Sequence, residues 1–84
     1  MIKKESKIKI YSTSWCGPCS YAKRLLTEKG FSYEEIDIEE NGMSRDDLFN
    51  ITGGRTVPQI VIDEKTLGGY DDLLELESSG KIFS

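Results

Sequence analysis

The sequence predicts one small α/β domain with the element order β-α-β-α-β-β-α. Three observations lead to this prediction. Short runs of alternating apolar residues indicate strands, and apolar stripes at helical spacing lie between them. Glycines stand where each predicted helix ends. The length of 84 residues is enough for a single domain with a modest core, spanning residues 1–84.

The first half of the chain predicts a βαβ unit. Residues 7–12 alternate and form the first strand, and residues 17–30 form a helix. Pro18 suits the first turn of this helix, and Gly30 is a natural end for it. Residues 31–38 alternate again, so we expect a second strand that runs parallel to the first after a right-handed crossover. The residues predicted to share an inner face are Ile8, Ile10 and Ser12 of the strand and Tyr21, Ala22, Leu25 and Leu26 of the helix.

The second half predicts a helix, two strands and a last helix. A capping-box spacing at residues 44–47 begins a helix that ends at Gly53. Residues 57–62 and 66–67 form two strands joined by a turn, and residues 70–79 form the last helix. In that helix we expect Leu73, Leu74 and Leu76 to point inward, Asp71 and Asp72 to lie in the first turn, and Gly80 to end it.

Composition and charge exclude several classes of function. With 37% hydrophobic and 31% charged residues and a net charge of −4, the chain is not expected to bind nucleic acid. The basic segment at residues 1–7 is followed by no apolar signal region, so we expect no signal peptide, no membrane span and a cytoplasmic location. The absence of histidine excludes a Cys–His catalytic pair and a histidine-based metal site.

The two cysteines of the chain form the motif Cys16-Gly17-Pro18-Cys19. It lies where the first strand turns into the first helix, so the first sulfur is placed at a helix N-terminus, which favours a thiolate. A disulfide between residues so close in sequence would add little stability, because the loop that it closes is short. A zinc site would need two more ligands from a second chain. The motif therefore predicts redox chemistry, in which a thiolate attacks a disulfide and a second thiol resolves the product.

Three segments together resemble the glutaredoxin family over nearly the whole chain. Trp15 to Cys19 resembles the thioredoxin active site, Thr56-Val57-Pro58-Gln59-Ile60 resembles the glutaredoxin TVP segment, and Gly68-Gly69-Tyr70-Asp71-Asp72-Leu73 resembles the glutaredoxin GG-x-D-D-L segment. This resemblance implies a thioredoxin-like fold with a four-stranded mixed sheet flanked by helices. It also implies a glutathione-dependent dithiol-disulfide oxidoreductase that reduces protein disulfides and glutathione mixed disulfides.

The resemblance also assigns roles to individual residues. Cys16 is the expected nucleophile and Cys19 the resolving thiol. Pro58 is expected in the cis form, facing the cysteines, so that the backbone of Val57 is free to pair with the substrate. The residues expected to bind glutathione are Arg55, Thr56, Val57, Pro58, Tyr70 and Asp71. The alternatives without a role in binding are a solvated surface charge for Arg55, a trans Pro58, and helix-capping acids for Asp71 and Asp72.

The resemblance further implies a set of cofactors and partners. No tightly bound cofactor is expected, and glutathione serves as the reductant of a monomeric enzyme. The expected protein partners carry disulfides or glutathione mixed disulfides, and ribonucleotide reductase is one candidate. Trp15 is expected to shield the site and to contact these partners.

The sequence departs from the family pattern at three positions, and two other functions stay open. Thr13 and Gly54 replace residues that contact glutathione in many members, a lysine and a Gln or Arg, and Pro18 replaces a tyrosine. One alternative is a small thioredoxin-like protein that a flavoprotein reductase reduces. The other is a carrier of a [2Fe–2S] cluster, ligated by Cys16 and glutathione, which Gly17 favours.

Overall fold

The computed structural model describes residues 6–79. The elements are β1 (Ile8–Ser12), α1 (Gly17–Glu28), β2 (Glu34–Asp37), α2 (Arg45–Thr52), β3 (Gln59–Ile62), β4 (Lys65–Gly68) and α3 (Tyr70–Ser78). This order confirms the predicted one. The predictions for residues 1–5 of the basic segment and for Gly80 lie outside the described residues. Among residues 6–79 no helix combines the length and the apolar character needed to cross a membrane.

The four strands form one mixed sheet in the order β2-β1-β3-β4. β1 pairs with β2 in parallel, as the βαβ unit requires, and with β3 in the antiparallel sense. The register places Tyr11 of β1 opposite Gln59 of β3. The last residues of β1 and the first residues of β3 therefore lie side by side at one end of these central strands. This brings the segment after Ser12 close to the segment before Gln59.

Each face of the sheet carries its own apolar cluster. On one face Ile8, Ile10 and Ile60 pack with α1 and α3, through residues such as Leu26 and Leu73. On the other face Tyr11 and Val61 pack with Leu48 of α2 and with Ile38. The alternation of strand side chains produces both clusters, because successive residues of β1 and β3 point to opposite faces. The molecule therefore has three layers, with α1 and α3 on one side of the sheet and α2 on the other.

The second helix starts and ends as its sequence predicts. The Asp47 N–H donates to Ser44 Oγ over 3.0 Å, and the Ser44 N–H donates to Asp47 Oδ2 over 2.9 Å. This reciprocal pair is a capping box. Gly53 ends the helix at φ = 81°, a left-handed conformation that favours glycine.

Several predicted details are wrong. Tyr21 is 56% exposed and Leu74 is 36% exposed, although both were expected to face the core. Each is next to a fully buried residue, Ala22 or Leu73, and a step of one residue turns a helix by about 100°. The buried stripe is therefore narrower than the apolar pattern suggests.

The predicted strand limits also shift. β2 begins at Glu34 rather than at Phe31, whose side chain is buried before the strand starts and whose N–H donates to Leu26 O over 2.9 Å. β3 begins at Gln59 rather than at Val57. β4 covers four residues instead of the predicted two, because its backbone continues to pair with β3 as far as Gly68.

Candidate active site

The first sulfur of the cysteine motif is the cap of α1. Cys16 is the N-cap residue, and its Sγ accepts the N–H of Cys19 at 3.1 Å. Pro18, in the first turn, has no N–H to donate. A side-chain acceptor at this position satisfies one of the N–H groups that every helix leaves unpaired at its start. The same group that caps the helix is therefore held in the field that favours a thiolate.

Cys16 and Cys19 form a disulfide, so the structure shows the oxidised state of the motif. The two residues differ in access, since Cys16 retains 7% exposure and Cys19 only 1%. The site is more enclosed than a bare helix N-terminus would be, because the segment before β3 covers it. An incoming thiol reaches Cys16 before it reaches Cys19, which supports the predicted order of roles.

The segment before β3 lies opposite the disulfide. Val57 and Pro58 are joined by a cis peptide bond, as the family resemblance predicts. The Val57 carbonyl oxygen lies 3.7 Å from Cys16 Sγ. This approach follows from the antiparallel pairing of β1 and β3, which places their adjoining ends side by side. Backbone groups of Val57 are thereby available within contact distance of a sulfur bound to Cys16.

A groove of about 530 Å³ runs beside this contact. The groove brings together five of the six residues that the family resemblance predicts to bind glutathione. Its walls come from the start of α1, the 52–59 segment and the start of α3. The lining residues include Pro18, Gly54, Thr56, Val57, Pro58, Gln59, Thr66, Gly69, Tyr70 and Asp71. Thr56, Val57, Pro58, Tyr70 and Asp71 are thus grouped as the family resemblance implies.

The α3 wall of the groove depends on its two glycines. Gly68 has φ = 124°, and a Cβ there would collide with the Asp72 carboxylate. That carboxylate accepts the Gly69 N–H at 3.0 Å and so caps α3. Asp72 is therefore a capping acid, and both it and Asp71 are exposed acids that line the groove. Tyr70 is supported from α1 by Tyr21, with ring centroids 5.9 Å apart.

Arg55 is the one predicted binding residue that does not line the groove. Its guanidinium lies 4.1 Å from the centre of the Phe49 ring, and its Nε is 3.4 Å from Asp46 Oδ1. The side chain thus lies along α2 in this structure. Because the ion pair is exposed, it contributes little free energy and does not fix the side chain there.

Gln59 belongs to the groove but was not singled out by the sequence. It is a buried polar residue, and its amide nitrogen donates to Thr56 O at 3.0 Å. The signal that points to it is a polar residue at the head of an otherwise apolar strand. Thr66 is a second lining residue that the sequence analysis missed, and no local pattern marks it.

Thr13 occupies the position where many family members carry lysine. It is only 3% exposed, and its carbonyl accepts the Cys16 N–H at 3.3 Å. Its Oγ1 is buried and has no hydrogen-bond partner among residues 6–79. Thr13 therefore shapes the loop through its backbone and places no cation next to the sulfur.

A carboxylate network ties α1 to the sheet near the site. Glu35 Oε2 accepts from Lys23 Nζ at 2.7 Å and from Ser12 Oγ at 2.8 Å. The Lys23 bond, aided by the Ser12 bond, lowers the pKa of Glu35 from 4.5, although partial burial opposes the shift. The network is structural, because it holds the end of β1 just before the cysteine loop.

Trp15 stands beside the motif with 63% of its surface exposed. Its Nε1 donates to Glu39 Oε1 at 3.1 Å, and the Arg45 guanidinium lies 5.9 Å from the ring centroid. The ring therefore has a carboxylate at its Nε1 edge and a cation over its face, and most of its surface stays open to solvent.

A metal site needs several ligating side chains close together. In the part of the chain that the structure describes, no group of three or more His, Cys, Asp or Glu side chains is placed to hold a metal ion. A [2Fe–2S] cluster would need Cys16 Sγ as a ligand, and that sulfur is bonded to Cys19 here. This form of the motif does not fit a cluster.

Comparison with known proteins identifies relatives by sequence. The glutaredoxin family model matches residues 8–67. Glutaredoxin 3 of Escherichia coli strain K12 is 40% identical over 75 residues, covering 89% of this chain and 90% of its own. A glutaredoxin of Pseudomonas aeruginosa is 45% identical over 73 residues, covering 87% of each chain.

Solved structures agree with this fold. The buckwheat glutaredoxin–glutathione complex superposes with a TM-score of 0.82 at 30% identity, covering 94% of this chain and 74% of its own. The solution structure of reduced glutaredoxin C1 from Populus tremula x tremuloides gives 0.81 at 31% identity, covering 89% and 67%. The four-stranded mixed sheet with three helices is thus the thioredoxin-like architecture of these structures.

Proposed function

Because the chain belongs to the glutaredoxin family and is a thiol-disulfide oxidoreductase, we propose that glutathione is its reductant and that Cys16 is its nucleophile. One observation carries the proposal: Cys16 Sγ caps α1 and lies 3.7 Å from the Val57 carbonyl at the groove. The structural relative from buckwheat was solved with glutathione, which supports the same ligand here.

The proposed cycle conserves bonds and electrons. In the reduced enzyme the Cys16 thiolate attacks one sulfur of a substrate disulfide, and the other substrate sulfur leaves as a thiolate. Cys19 then attacks Cys16 Sγ, which releases the second substrate thiol and forms the disulfide seen here. One glutathione thiolate attacks Cys16 and frees Cys19. A second attacks the mixed disulfide, so glutathione disulfide leaves with the two electrons balanced.

The chemistry of the groove walls supports glutathione as the ligand. The Val57 backbone, beside Cys16, is placed to pair with the peptide of the cysteinyl part. Asp71 supplies a negative charge for the ammonium group at the other end of the tripeptide. Thr56, in the 52–59 segment, carries a hydroxyl that can donate to a carboxylate of the ligand. Arg55 can join that carboxylate by exchanging its exposed partner Asp46 for the ligand.

The roles of the two cysteines are tested by replacing Cys19 with Ser and adding glutathione disulfide. Without the resolving thiol, the mixed disulfide accumulates as one glutathione per chain. Peptide mapping by mass spectrometry should place it on Cys16. The Cys16→Ser variant is the matched control and should trap far less, because Cys19 is almost fully buried. Glutathione trapped on Cys19 by the Cys16→Ser variant, with little trapped by the Cys19→Ser variant, would reverse the assignment.

The source of electrons is tested separately, because a reductase-fed thioredoxin has the same cysteine chemistry. The rate of reduction of the Cys16–Cys19 disulfide is measured with glutathione alone and with thioredoxin reductase and NADPH. We expect useful turnover with glutathione. Turnover only with the flavoprotein reductase would contradict the glutathione proposal and leave the oxidoreductase assignment intact.

The cellular setting follows from the same proposal. We propose a cytoplasmic monomer that acts on disulfide-containing or glutathionylated proteins, ribonucleotide reductase among them. The proposed location agrees with the chemistry, because a dithiol enzyme needs a pool of reductant and the cytoplasm keeps thiols reduced. Trapping of substrate proteins by the Cys19→Ser variant in the source cell, followed by identification of the mixed disulfides, measures the partner range.

A further inference from the structure

The amide of Gln59 is a buried polar group whose bonds all go to the groove wall. Gln59 is 6% exposed and stands at the head of β3. Its Nε2 donates to the Thr56 carbonyl at 3.0 Å and, more weakly, to Thr56 Oγ1 at 3.4 Å. A carbonyl oxygen only accepts, so the contact fixes which end of the amide faces Thr56.

This arrangement decides what the Thr56 hydroxyl offers to a ligand. A hydroxyl has one proton to donate and lone pairs to accept. Because Gln59 supplies a donor to Oγ1, the hydroxyl's own proton is left for another acceptor. Thr56 is exposed and lines the groove, so that proton is available to an acceptor group of a ligand bound there.

A second observation shows that the amide is built into this wall. A Cβ on Gly54 would collide with the Gln59 amide, whose atoms fill the space beside the Gly54 backbone. Gly54 also lines the groove. The segment 54–56 thus folds around the Gln59 amide, and its shape depends on that side chain.

We propose that Gln59 is a positioning residue that turns the Thr56 hydroxyl into a donor for a carboxylate of bound glutathione. The inference rests on the proposed function and adds the residue that sets recognition of the anionic end of the ligand. Gln59 itself does not touch the reacting sulfur. It acts through Thr56, so its removal lowers selectivity for the carboxylate and leaves the chemistry at Cys16 unchanged.

The test uses the Cys19→Ser protein and three small disulfides. Glutathione disulfide carries the free glycine carboxylate, the disulfide of glutathione ethyl ester lacks that charge, and hydroxyethyl disulfide lacks the tripeptide. The rate constant for mixed-disulfide formation on Cys16 is measured by mass spectrometry for each. We expect the parent to favour the free acid over the ester by about tenfold, the effect of one hydrogen bond to a charged group.

Gln59→Leu should lower the acid-to-ester ratio toward the part that Arg55 supplies, and should slow the reactions of the ester and of hydroxyethyl disulfide less than the reaction of the free acid. Gly54→Ala should act in the same direction, since the new methyl group displaces the flexible amide. Asn50→Leu is the matched control, because it removes an amide from the exposed surface of α2 and should keep the parent ratio.

The outcomes separate this inference from the proposed function. A parent that prefers the ester of glutathione over hydroxyethyl disulfide retains its glutathione site whatever the acid-to-ester ratio is. A parent ratio of one, or a Gln59→Leu variant with an unchanged ratio, overturns the role of Gln59. Equal losses with all three disulfides show that Gln59 only supports the fold, which also overturns it. A parent that treats all three alike contradicts the glutathione proposal as well.

Discussion

Near the disulfide, side-chain atoms differ in whether they have a hydrogen-bond partner. Cys16 Sγ has a backbone donor, whereas the buried Thr13 Oγ1 has no partner in the described part of the chain. An unpaired hydroxyl inside a protein destabilises the folded state, because it leaves its bonds with water behind. Thr13 therefore makes its contribution through its backbone and not through its hydroxyl.

The Thr13→Val variant should be as stable as the parent or more stable, by up to about 1 kcal/mol, since valine has the same shape without the unpaired hydroxyl. The free energy of unfolding of the oxidised protein, measured in urea, checks this.

Thr52→Val is the matched control for that variant. Thr52 is also buried, but its Oγ1 donates to Leu48 O at 2.9 Å and accepts the Gly54 N–H at 3.2 Å. It should lose about 1 kcal/mol or more, because valine leaves the Gly54 N–H without this partner. Equal effects of the two substitutions would show that the Thr13 hydroxyl is bonded in solution.

Between elements, the Lys23–Glu35–Ser12 network makes stability depend on pH. Because the folded state lowers the pKa of Glu35, this carboxylate stabilises the fold above its unfolded pKa, near 4.5. That contribution is lost as the pH falls through the lowered folded value. Glu35→Gln should therefore reduce stability at pH 7 and have a shrinking effect at progressively lower pH below about 4.5.

Urea titrations at several pH values measure that dependence. Glu34→Gln is the control, since Glu34 is an exposed neighbour in the same strand. A Glu35→Gln difference that does not change between pH 7 and pH 3 would mean that the carboxylate charge plays no part.

The capping box of α2 gives a second prediction at the level of one element. Ser44→Ala removes the acceptor for the Asp47 N–H and should cost about 1 kcal/mol of stability. Ser32→Ala, in the exposed segment before β2, is the control and should have little effect. Because α2 leads into the groove wall through Gly53, the Ser44 variant should also increase amide hydrogen exchange in residues 53–57. A loss confined to the control position would contradict this role.

For the whole molecule, stability rests on the cluster between the sheet, α1 and α3. Leu73 is fully buried there, and Leu74, the next residue, is 36% exposed. Leu73→Ala should destabilise by about 2–5 kcal/mol, a large part of the total for a domain of this size. Leu74→Ala should cost well under half of that. Melting temperatures compare the two variants, and similar losses would mean that α3 is turned differently in solution.

The architecture could largely be predicted from sequence because local signals agree with one another. Alternation marked the strands, and the Ser44 cap and the glycines Gly30 and Gly53 marked the helix ends. The errors concern Tyr21, Leu74 and the limits of β2, β3 and β4. Which flank of an apolar stripe becomes buried depends on how helices pack across the sheet, and that is not a local property.

Some residues of the candidate site could be predicted from sequence and others could not. Cys16, Val57 and Tyr70 could be assigned through motifs, and the structure brings their segments together at one edge of the sheet. Gln59 could not, since its bonds to Thr56 depend on the turn that precedes β3. Arg55 carries the right charge, but its position over Phe49 depends on α2.

The cap at the start of α1 has a consequence for folding that reaches beyond catalysis. If the start of α1 stabilises a thiolate at Cys16, the thiolate stabilises the helix by the same free energy, because linkage is reciprocal. The Cys16→Ala substitution should therefore loosen the first turn of α1, seen as faster hydrogen exchange of the Cys19 amide, because it removes the acceptor of that N–H. An alkylating reagent that removes this charge would loosen the first turn of α1 at the moment it blocks the enzyme. The sulfur that we propose as the nucleophile thus also helps to hold the start of α1 in place.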